Sequence, residues 1–391
     1  MAGARWQPLR WALAALLLAA LLLTEGIPHA AAQSAEEWRE TANRGTVGLI
    51  TSSASGREPA LAADLAAALD AEGRLRIVPM LGRGPAQTVT DLLYLRGADI
   101  AIVPADVLAV LRGEQQHANI EKRLAYLAPL HSEVLYVLAR GETGSISQLA
   151  GQKVNLGPPG SAAAMTAAHV LHRLGIPVEP AGDALPAALA RLRRGEIAAL
   201  LALGSIPVPA LHALGPADDL RFLNVPLSGD LEQVYRPAIL TAADYPGMIA
   251  ANLPVSTLAV PHLLVVANGD RPAADRSRRV KVFVEALFGA FARLLEPGRD
   301  PAWREINLAA VAPGWTRAAV AEEWLRTNVG FALTPLADAK DQALRPALDE
   351  FLQFLETKDL HSGIATLSEE ERTVLFSQFQ QWRERRAQPP R

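Results

Sequence analysis

Strand-like and helix-like patterns alternate along this chain, and that alternation restricts the fold more than any other feature. Gly45–Thr51 is a short apolar run typical of a buried strand. Glu58–Gly73 follows, with leucines at helical spacing and a glycine at its end. Further strand and helix patterns then take turns along the chain. Regular alternation of this kind predicts an α/β fold built on a mainly parallel sheet.

The order of these patterns predicts two doubly wound lobes joined by crossing strands. A long apolar strand pattern at Val255–Asn268 lies where the chain can return to the first lobe. We therefore expect a discontinuous lobe one from residues 45–135 plus 255–333, and lobe two from residues 136–254. Residues 334–391 are more charged and lose the strand patterns, which predicts a C-terminal helical extension.

The N-terminus predicts export. Arg5 and Arg10 precede the apolar run Trp11–Leu23, and Ala30 and Ala32 offer a small-residue cleavage site. Residues 1–32 are therefore expected to be a cleaved signal peptide, with an uncleaved anchor as the alternative. The run is shorter than the roughly 20 residues of a membrane span. A periplasmic location follows from this interpretation.

Composition excludes several classes of function. The 391 residues carry a formal net charge of −3. The sequence therefore does not predict the strongly basic surface that is typical of nucleic-acid-binding proteins. There is no cysteine, which excludes disulfides, thiolate metal sites and a cysteine nucleophile. The motifs of zinc proteases, serine-hydrolase elbows, P-loops and dinucleotide-binding folds are absent from the sequence.

One turn stands out as a candidate anion site. Gly157-Pro158-Pro159-Gly160-Ser161 separates a short strand pattern from an alanine-rich helix pattern. The glycines allow a close backbone approach, and Ser161 can cap the helix. The first N–H groups of a helix are unpaired and lie at its positive end, so they can bind a carboxylate or phosphate. A plain connection between strand and helix remains the alternative.

Other loops at predicted strand ends follow the same logic. Thr51–Glu58 is rich in hydroxyl groups, and its Arg57 could bind an anion or could simply pair with Glu58. Asp106 could line the cleft or cap a helix. The loop at His131–Val134 lies where the chain should first cross between lobes.

Catalysis and metal binding are not predicted. His169 and His172 have helical i, i+3 spacing and could form a metal pair, but a surface pair is the preferred interpretation. The sequence does not pair a nucleophile with a base in any recognisable way. We expect a protein that is not an enzyme, with no cofactor and no metal site; a hydrolase using one of the loop serines is the minor alternative.

Three stretches carry a resemblance to a known family. Val137–Ile176, Thr90–Glu114 and Asp244–Asp270 resemble, in matching order, segments of the TAXI-type solute-binding subunits of TRAP transporters. The resemblance covers about residues 45–295. It implies a type II periplasmic binding protein fold that closes over a small organic anion or amino acid. It also implies a TRAP-type membrane permease, driven by an ion gradient, as the partner, and by default a monomer.

Two departures from the family pattern concern the expected site. Family members often have Gly-Ser-Gly-Thr-Arg after the turn, whereas this chain has Gly160-Ser161 followed by Ala162-Ala163-Ala164. The first loop often contains Tyr-Tyr-Pro, whereas this chain has Arg57-Glu58-Pro59. These changes indicate a different ligand or pose, or a loss of transport.

A periplasmic sensing module for a signalling partner is the alternative function, and the predicted C-terminal helices slightly favour it.

The expected ligand-binding residues come from both lobes. They are Ser52, Ser53, Ser55, Arg57, Asp106, Glu133, Gly160, Ser161, Ala162, Thr166 and Ser205.

Overall fold

The computed structural model describes residues 37–38, 43–54, 56–71, 74–114, 119–268 and 274–328. The predicted signal peptide, the predicted C-terminal extension and Ser55 lie outside these residues.

The described residues form one mixed sheet of ten strands. Its main path runs in the order β2-β1-β3-β10-β4-β7-β5-β6, with β8 paired to β4 and β9 paired to β10. The strands are β1 (Thr46–Thr51), β2 (Arg76–Leu81), β3 (Ile100–Pro104), β4 (Leu124–Arg140), β5 (Lys153–Asn155), β6 (Glu179–Ala181), β7 (Ala199–Gly204), β8 (Leu220–Phe222), β9 (Arg236–Leu240) and β10 (Val255–Ala267).

Nine α-helices in the described part of the chain connect or cover these strands. They are α1 (Arg57–Leu69), α2 (Pro85–Tyr94), α3 (Val107–Glu114), α4 (Ile120–Arg123), α5 (Ala162–Arg173), α6 (Leu185–Arg193), α7 (Pro209–His212), α8 (Ala274–Gly289) and α9 (Ala319–Thr327). Proline is present at the first turn of α2, α6 and α7, where its missing N–H is not needed.

Two parallel groups of strands are joined by two long antiparallel strands. In the first group, β1 pairs in parallel with β2 and β3. In the second group, β5 pairs in parallel with β6 and β7. Strands β4 and β10 lie between the groups and pair with each other antiparallel. We call the part built on β1–β3 lobe one and the part built on β5–β7 lobe two.

The core packing shows where β4 and β10 cross from one lobe to the other. Up to Leu130, β4 contributes to two apolar clusters with β1, β3, α1 and α2. From Val134 onward it contributes to two other clusters, with α5 and α6. Strand β10 makes the same change between Val260 and Leu263. The residues at the change are polar or proline, so they belong to neither core.

This architecture confirms the predicted fold class of two doubly wound lobes joined by crossing strands. Two apolar clusters on opposite faces of each half of the sheet account for the doubly wound pattern. The single strand β4 runs without interruption from Leu124 to Arg140 and so belongs to both lobes. None of the helices within the described ranges is long and apolar enough to span a bilayer.

Candidate functional site

The carboxylate of Glu58 organises the loop that follows β1. Its Oε2 accepts from the backbone N–H groups of Ser52, at 2.5 Å, and Ser53, at 3.1 Å. Its Oε1 pairs with the Ser52 hydroxyl at 2.5 Å and with Nδ1 of His262 at 2.8 Å. Glu58 is only 2% exposed, so these partners take the place of water around a buried charge. The first loop is therefore tied to the crossing strand β10.

Three titratable side chains converge where the two long strands cross. His131 and Glu133 are two positions apart on β4, so their side chains lie on the same face of the strand. Register between β4 and β10 shifts between Pro261 and Leu263, and this irregularity lies beside His262. The rings of His131 and His262 stack with centroids 4.5 Å apart. His262 Nε2 lies 3.4 Å from Glu133 Oε2.

The polar atoms of this cluster are unusual because several have no hydrogen-bond partner. Both ring nitrogens of His131 are buried and unpartnered, and so is Nε2 of His262, which is near Glu133 but not aligned with it for a hydrogen bond. His131 is 5% exposed and His262 is 1% exposed. Buried polar atoms normally find hydrogen-bond partners, so these nitrogens are unusual among the described residues.

The two stacked histidines differ in charge. Burial alone would lower the pKa of His262, but the carboxylates of Glu133 and Glu58 outweigh it and raise that pKa to about 10. Burial, together with the charges of His262 and Arg57, holds the pKa of His131 well below its usual range. Burial would raise the pKa of Glu133, but its interaction with His262 lowers it. Neutral His131 thus lies against an ion-paired His262.

Ligating atoms of His131, Glu133 and His262 all lie within 4.8 Å of one another. Imidazole nitrogen and carboxylate oxygen are ligands that divalent transition metals favour. The sequence interpretation, which expected no metal site, missed this group.

Asp106 joins the two lobes through a buried hydrogen-bond network. It follows β3 in lobe one, and its Oδ2 accepts from the Thr166 hydroxyl at 2.7 Å and the Tyr235 hydroxyl at 3.0 Å. Tyr235 also pairs with Nδ1 of His169 on α5 at 2.7 Å. Asp106 is fully buried, and its Oδ1 has no partner. Burial raises the pKa of Asp106, although the two hydroxyl donors partly oppose that effect.

The turn before α5 adopts the conformation that its glycines were expected to permit. Gly157 and Gly160 have φ values of 99° and 78°. Ser161 is the N-cap of α5, and its hydroxyl accepts from the Ala164 N–H at 3.2 Å. Ala162 is the first residue of the helix, so its N–H lies among the groups that lack an intrahelical partner.

The same turn touches the other lobe through backbone alone. A Cβ placed on Gly84, just before α2, would lie 2.0 Å from the carbonyl oxygen of Gly160. Gly84 has a φ of 126°, which also disfavours any other residue. The lobes therefore meet here at a distance that only glycine allows.

The remaining predicted site residues have other partners. Arg57 pairs with Asp300, with Nε and Oδ1 3.4 Å apart, rather than with Glu58. Ser53 contributes its carbonyl as an acceptor for the Thr51 hydroxyl at 2.5 Å. Ser205 follows β7, and its carbonyl accepts from the Tyr136 hydroxyl at 3.0 Å.

Some of the site residues predicted from the sequence lie close together in the structure, whereas other residues of the site were not predicted. Ser52 and Glu133 lie around Glu58 and His262, while Asp106 and Thr166 contact each other directly. His262 was missed, and for Tyr235 packing in the core was preferred to a place in the site. The signal for His262 was present, because a histidine in the middle of a long apolar strand must find a partner when it is buried.

Comparison with known proteins gives a family and a set of loosely similar structures. The model of the NMT1-like family matches residues 49–275. A TctC solute-binding protein from Polaromonas has 16% identity and a TM-score of 0.37, over 75% of this chain and 98% of that one. The periplasmic binding protein BugD has 12% identity and a TM-score of 0.40, over 74% of this chain and 95% of that one. No curated protein matches the sequence.

Proposed function

The chain belongs to the NMT1-like family, and from this membership we propose that it is an exported receptor that captures a small organic solute between its two lobes. The proposal describes a binding protein rather than an enzyme. It places the mature chain in the periplasm and assigns a TRAP-type permease as the partner. The TAXI-like stretches in the sequence support that partner, and we keep residues 45–135 plus 255–333 and 136–254 as its lobes.

One observation carries the proposal. Side chains and backbone from both lobes meet through the Asp106–Thr166 hydrogen bond and the Gly84–Gly160 contact. In open α/β sheets, ligands bind outside the carboxyl ends of strands where the strand order reverses. Ser52, Asp106 and the turn before α5 all follow the carboxyl ends of parallel strands. A solute held here would contact both lobes and favour their closed arrangement.

The solute class in this proposal is an organic anion that binds at the start of α5. The capped N-terminus of that helix offers backbone donors and positive potential. Glu58 and Glu133 at the crossing strands would repel an anion placed directly against them, and Arg57 is already paired with Asp300. The anionic group is therefore assigned to lobe two, near Ser161 and Ala162.

A thermal-shift screen of the purified protein tests the proposal. Dicarboxylates, 2-oxo acids, acidic and neutral amino acids and sulfonates form the panel. A ligand that binds only the native state adds about 2.7 kcal/mol at 100 times its dissociation constant, which gives a clear rise in Tm. A rise with one class of acid is expected, and a flat panel with a folded protein would contradict the receptor proposal.

Two substitutions test whether the solute binds at the start of α5. Ser161→Phe removes the cap and fills the turn, so it should abolish the shift. Ala168→Phe adds the same ring at an exposed position of α5 and should leave the shift intact. An unchanged shift in Ser161→Phe would remove the assignment to this helix. The sensing alternative depended on the C-terminal segment, which lies outside the described residues.

A further inference from the structure

We propose that His131, Glu133 and His262 bind a divalent transition-metal ion at the point where β4 and β10 cross between the lobes. This inference goes beyond solute capture, because all three donors lie on the crossing strands and need no organic solute. It arises from the unpartnered nitrogens of two buried histidines beside a carboxylate.

The donor set matches the chemistry of zinc and its neighbours. Two imidazoles and one carboxylate form the protein ligand set of many zinc sites in which one position stays open. The same set with open positions also suits divalent iron. Calcium and magnesium prefer oxygen ligands, so two histidine donors argue against them.

One of the distances between donor atoms already fits a single ion. Two donors about 2.0–2.1 Å from a tetrahedral ion lie roughly 3.3 Å apart. His262 Nε2 and Glu133 Oε2 are already 3.4 Å apart. A donor atom of His131 lies within 4.8 Å of both, and its ring would have to leave the stacked position on His262 to become the third ligand.

Burial explains why His131 needs such a partner. Its ring is 5% exposed, and neither ring nitrogen makes a hydrogen bond. A buried hydrogen-bonding group without a partner is destabilising by about 1–3 kcal/mol. A coordinated ion would complete one of these nitrogens.

Glu58 would orient one of the metal ligands without binding the ion itself. It accepts from Nδ1 of His262 at 2.8 Å, and an ion would bind Nε2 in place of the proton that this nitrogen carries in the ion-paired ring. Metal-binding histidines usually donate their other N–H to a carboxylate or carbonyl in this way. The backbone N–H groups of Ser52 and Ser53 hold Glu58 in turn, so the orientation of His262 is fixed by the first loop.

An ion with three protein ligands keeps at least one position for another ligand. The protein ligands belong to the strands that cross between the lobes, and an oxygen atom of water or of a solute would complete the coordination. The ion would also supply positive charge beside Glu58 and Glu133. The two glutamates would then no longer oppose an anionic solute.

Calorimetric titration with zinc tests the inference directly. The protein should carry no histidine tag and should be treated with a chelator before the titration. We expect one ion per chain, with His131→Ala and Glu133→Gln each weakening affinity at least tenfold. His172→Ala, on the exposed face of α5, and the exposed Glu142→Gln are matched controls that should bind as the parent does. Parent-like binding in His131→Ala and Glu133→Gln, or no binding by the parent, would overturn the proposal.

A second measurement uses only the parent protein, in case a variant fails to fold. X-ray absorption at the zinc edge should show two imidazole nitrogens and one carboxylate oxygen at about 2.0–2.2 Å. A shell with oxygen ligands only would refute the site. The solute panel tests the receptor proposal and the zinc titration tests the metal site. A negative result in one experiment therefore does not change the interpretation of the other.

Discussion

Thr166 donates a hydrogen bond of 2.7 Å to Asp106, and this bond joins lobe two to lobe one. Both residues are fully buried. Tyr235 donates to the same carboxylate oxygen at 3.0 Å. The contact between the lobes therefore has a polar part with a defined geometry, in addition to the apolar packing of Met165 against a lobe-one cluster.

Removal of either donor should destabilise the protein. Thr166→Val leaves the buried Asp106 with one donor fewer, so we expect a loss of about 1–3 kcal/mol in unfolding free energy. Tyr235→Phe should have a similar effect, and the double variant should be non-additive because both donors serve one oxygen. Urea unfolding measures the losses. Thr90→Val is the control, since that hydroxyl donates within its own helix, to the Ala86 carbonyl at 3.1 Å.

The pH dependence of stability should change in Asp106→Asn. Burial raises the pKa of Asp106 above its value in the unfolded chain. The protonated form is thus favoured in the folded state, and the stability that Asp106 contributes is present at acid pH and lost as pH rises through the folded pKa. Each unit of pKa difference corresponds to about 1.4 kcal/mol.

The stability of Asp106→Asn relative to the parent should therefore be highest at neutral pH and should fall as the pH is lowered. Unfolding curves in urea between neutral and mildly acid pH give this difference, in which the other titrating groups cancel. A constant difference for Asp106→Asn would show that this carboxyl titrates normally.

Gly84→Ala should hold the lobes apart. Its new Cβ would lie 2.0 Å from the Gly160 carbonyl oxygen, so the two loops must separate. Small-angle scattering should report a larger radius of gyration, and any solute found in the screen should bind more weakly. Gly97→Ala is a matched control in the same lobe, because its φ is +84° but nothing lies within 4 Å of its added Cβ. Both variants should lose about 1–3 kcal/mol through backbone strain, and only Gly84→Ala should change the scattering.

Loss of the charge on Glu58 should loosen the first loop. Glu58→Gln retains one acceptor oxygen for four partners, namely two backbone N–H groups, the Ser52 hydroxyl and the His262 ring. Hydrogen bonds to charged groups contribute about 1.5–3 kcal/mol each, so we expect a loss of at least 2 kcal/mol. Thermal unfolding checks this, and Glu285→Gln on the exposed side of α8 should change it little. Equal losses in the two variants would contradict the central role of Glu58.

Periodicity was enough to predict the fold class but not the composition of the site. Apolar runs and helical spacing follow from local burial, so β1, α1 and β10 were located within a few residues. The cluster around Glu58 joins residues 204 positions apart in the chain, as in its bond to His262. No local sequence pattern indicates such a contact, because the contact depends on the position of β10 between β3 and β4 in the sheet.

The anion site illustrates the same limit. The turn before α5 has the conformation expected of its glycines, since positive φ is a local requirement. Arg57, in contrast, was weighed only against its sequence neighbour Glu58, whereas its partner is the distant Asp300. Roles of the predicted ligand-binding residues remain predictions that the solute screen addresses.

The continuity of the sheet has a mechanical consequence. Strands β4 and β10 run through both lobes as paired members of one sheet, so the lobes are not connected by loops that swivel freely. An opening of the lobes would therefore have to twist or bend this two-stranded ribbon, whose pairing is irregular near Pro261 and Leu264.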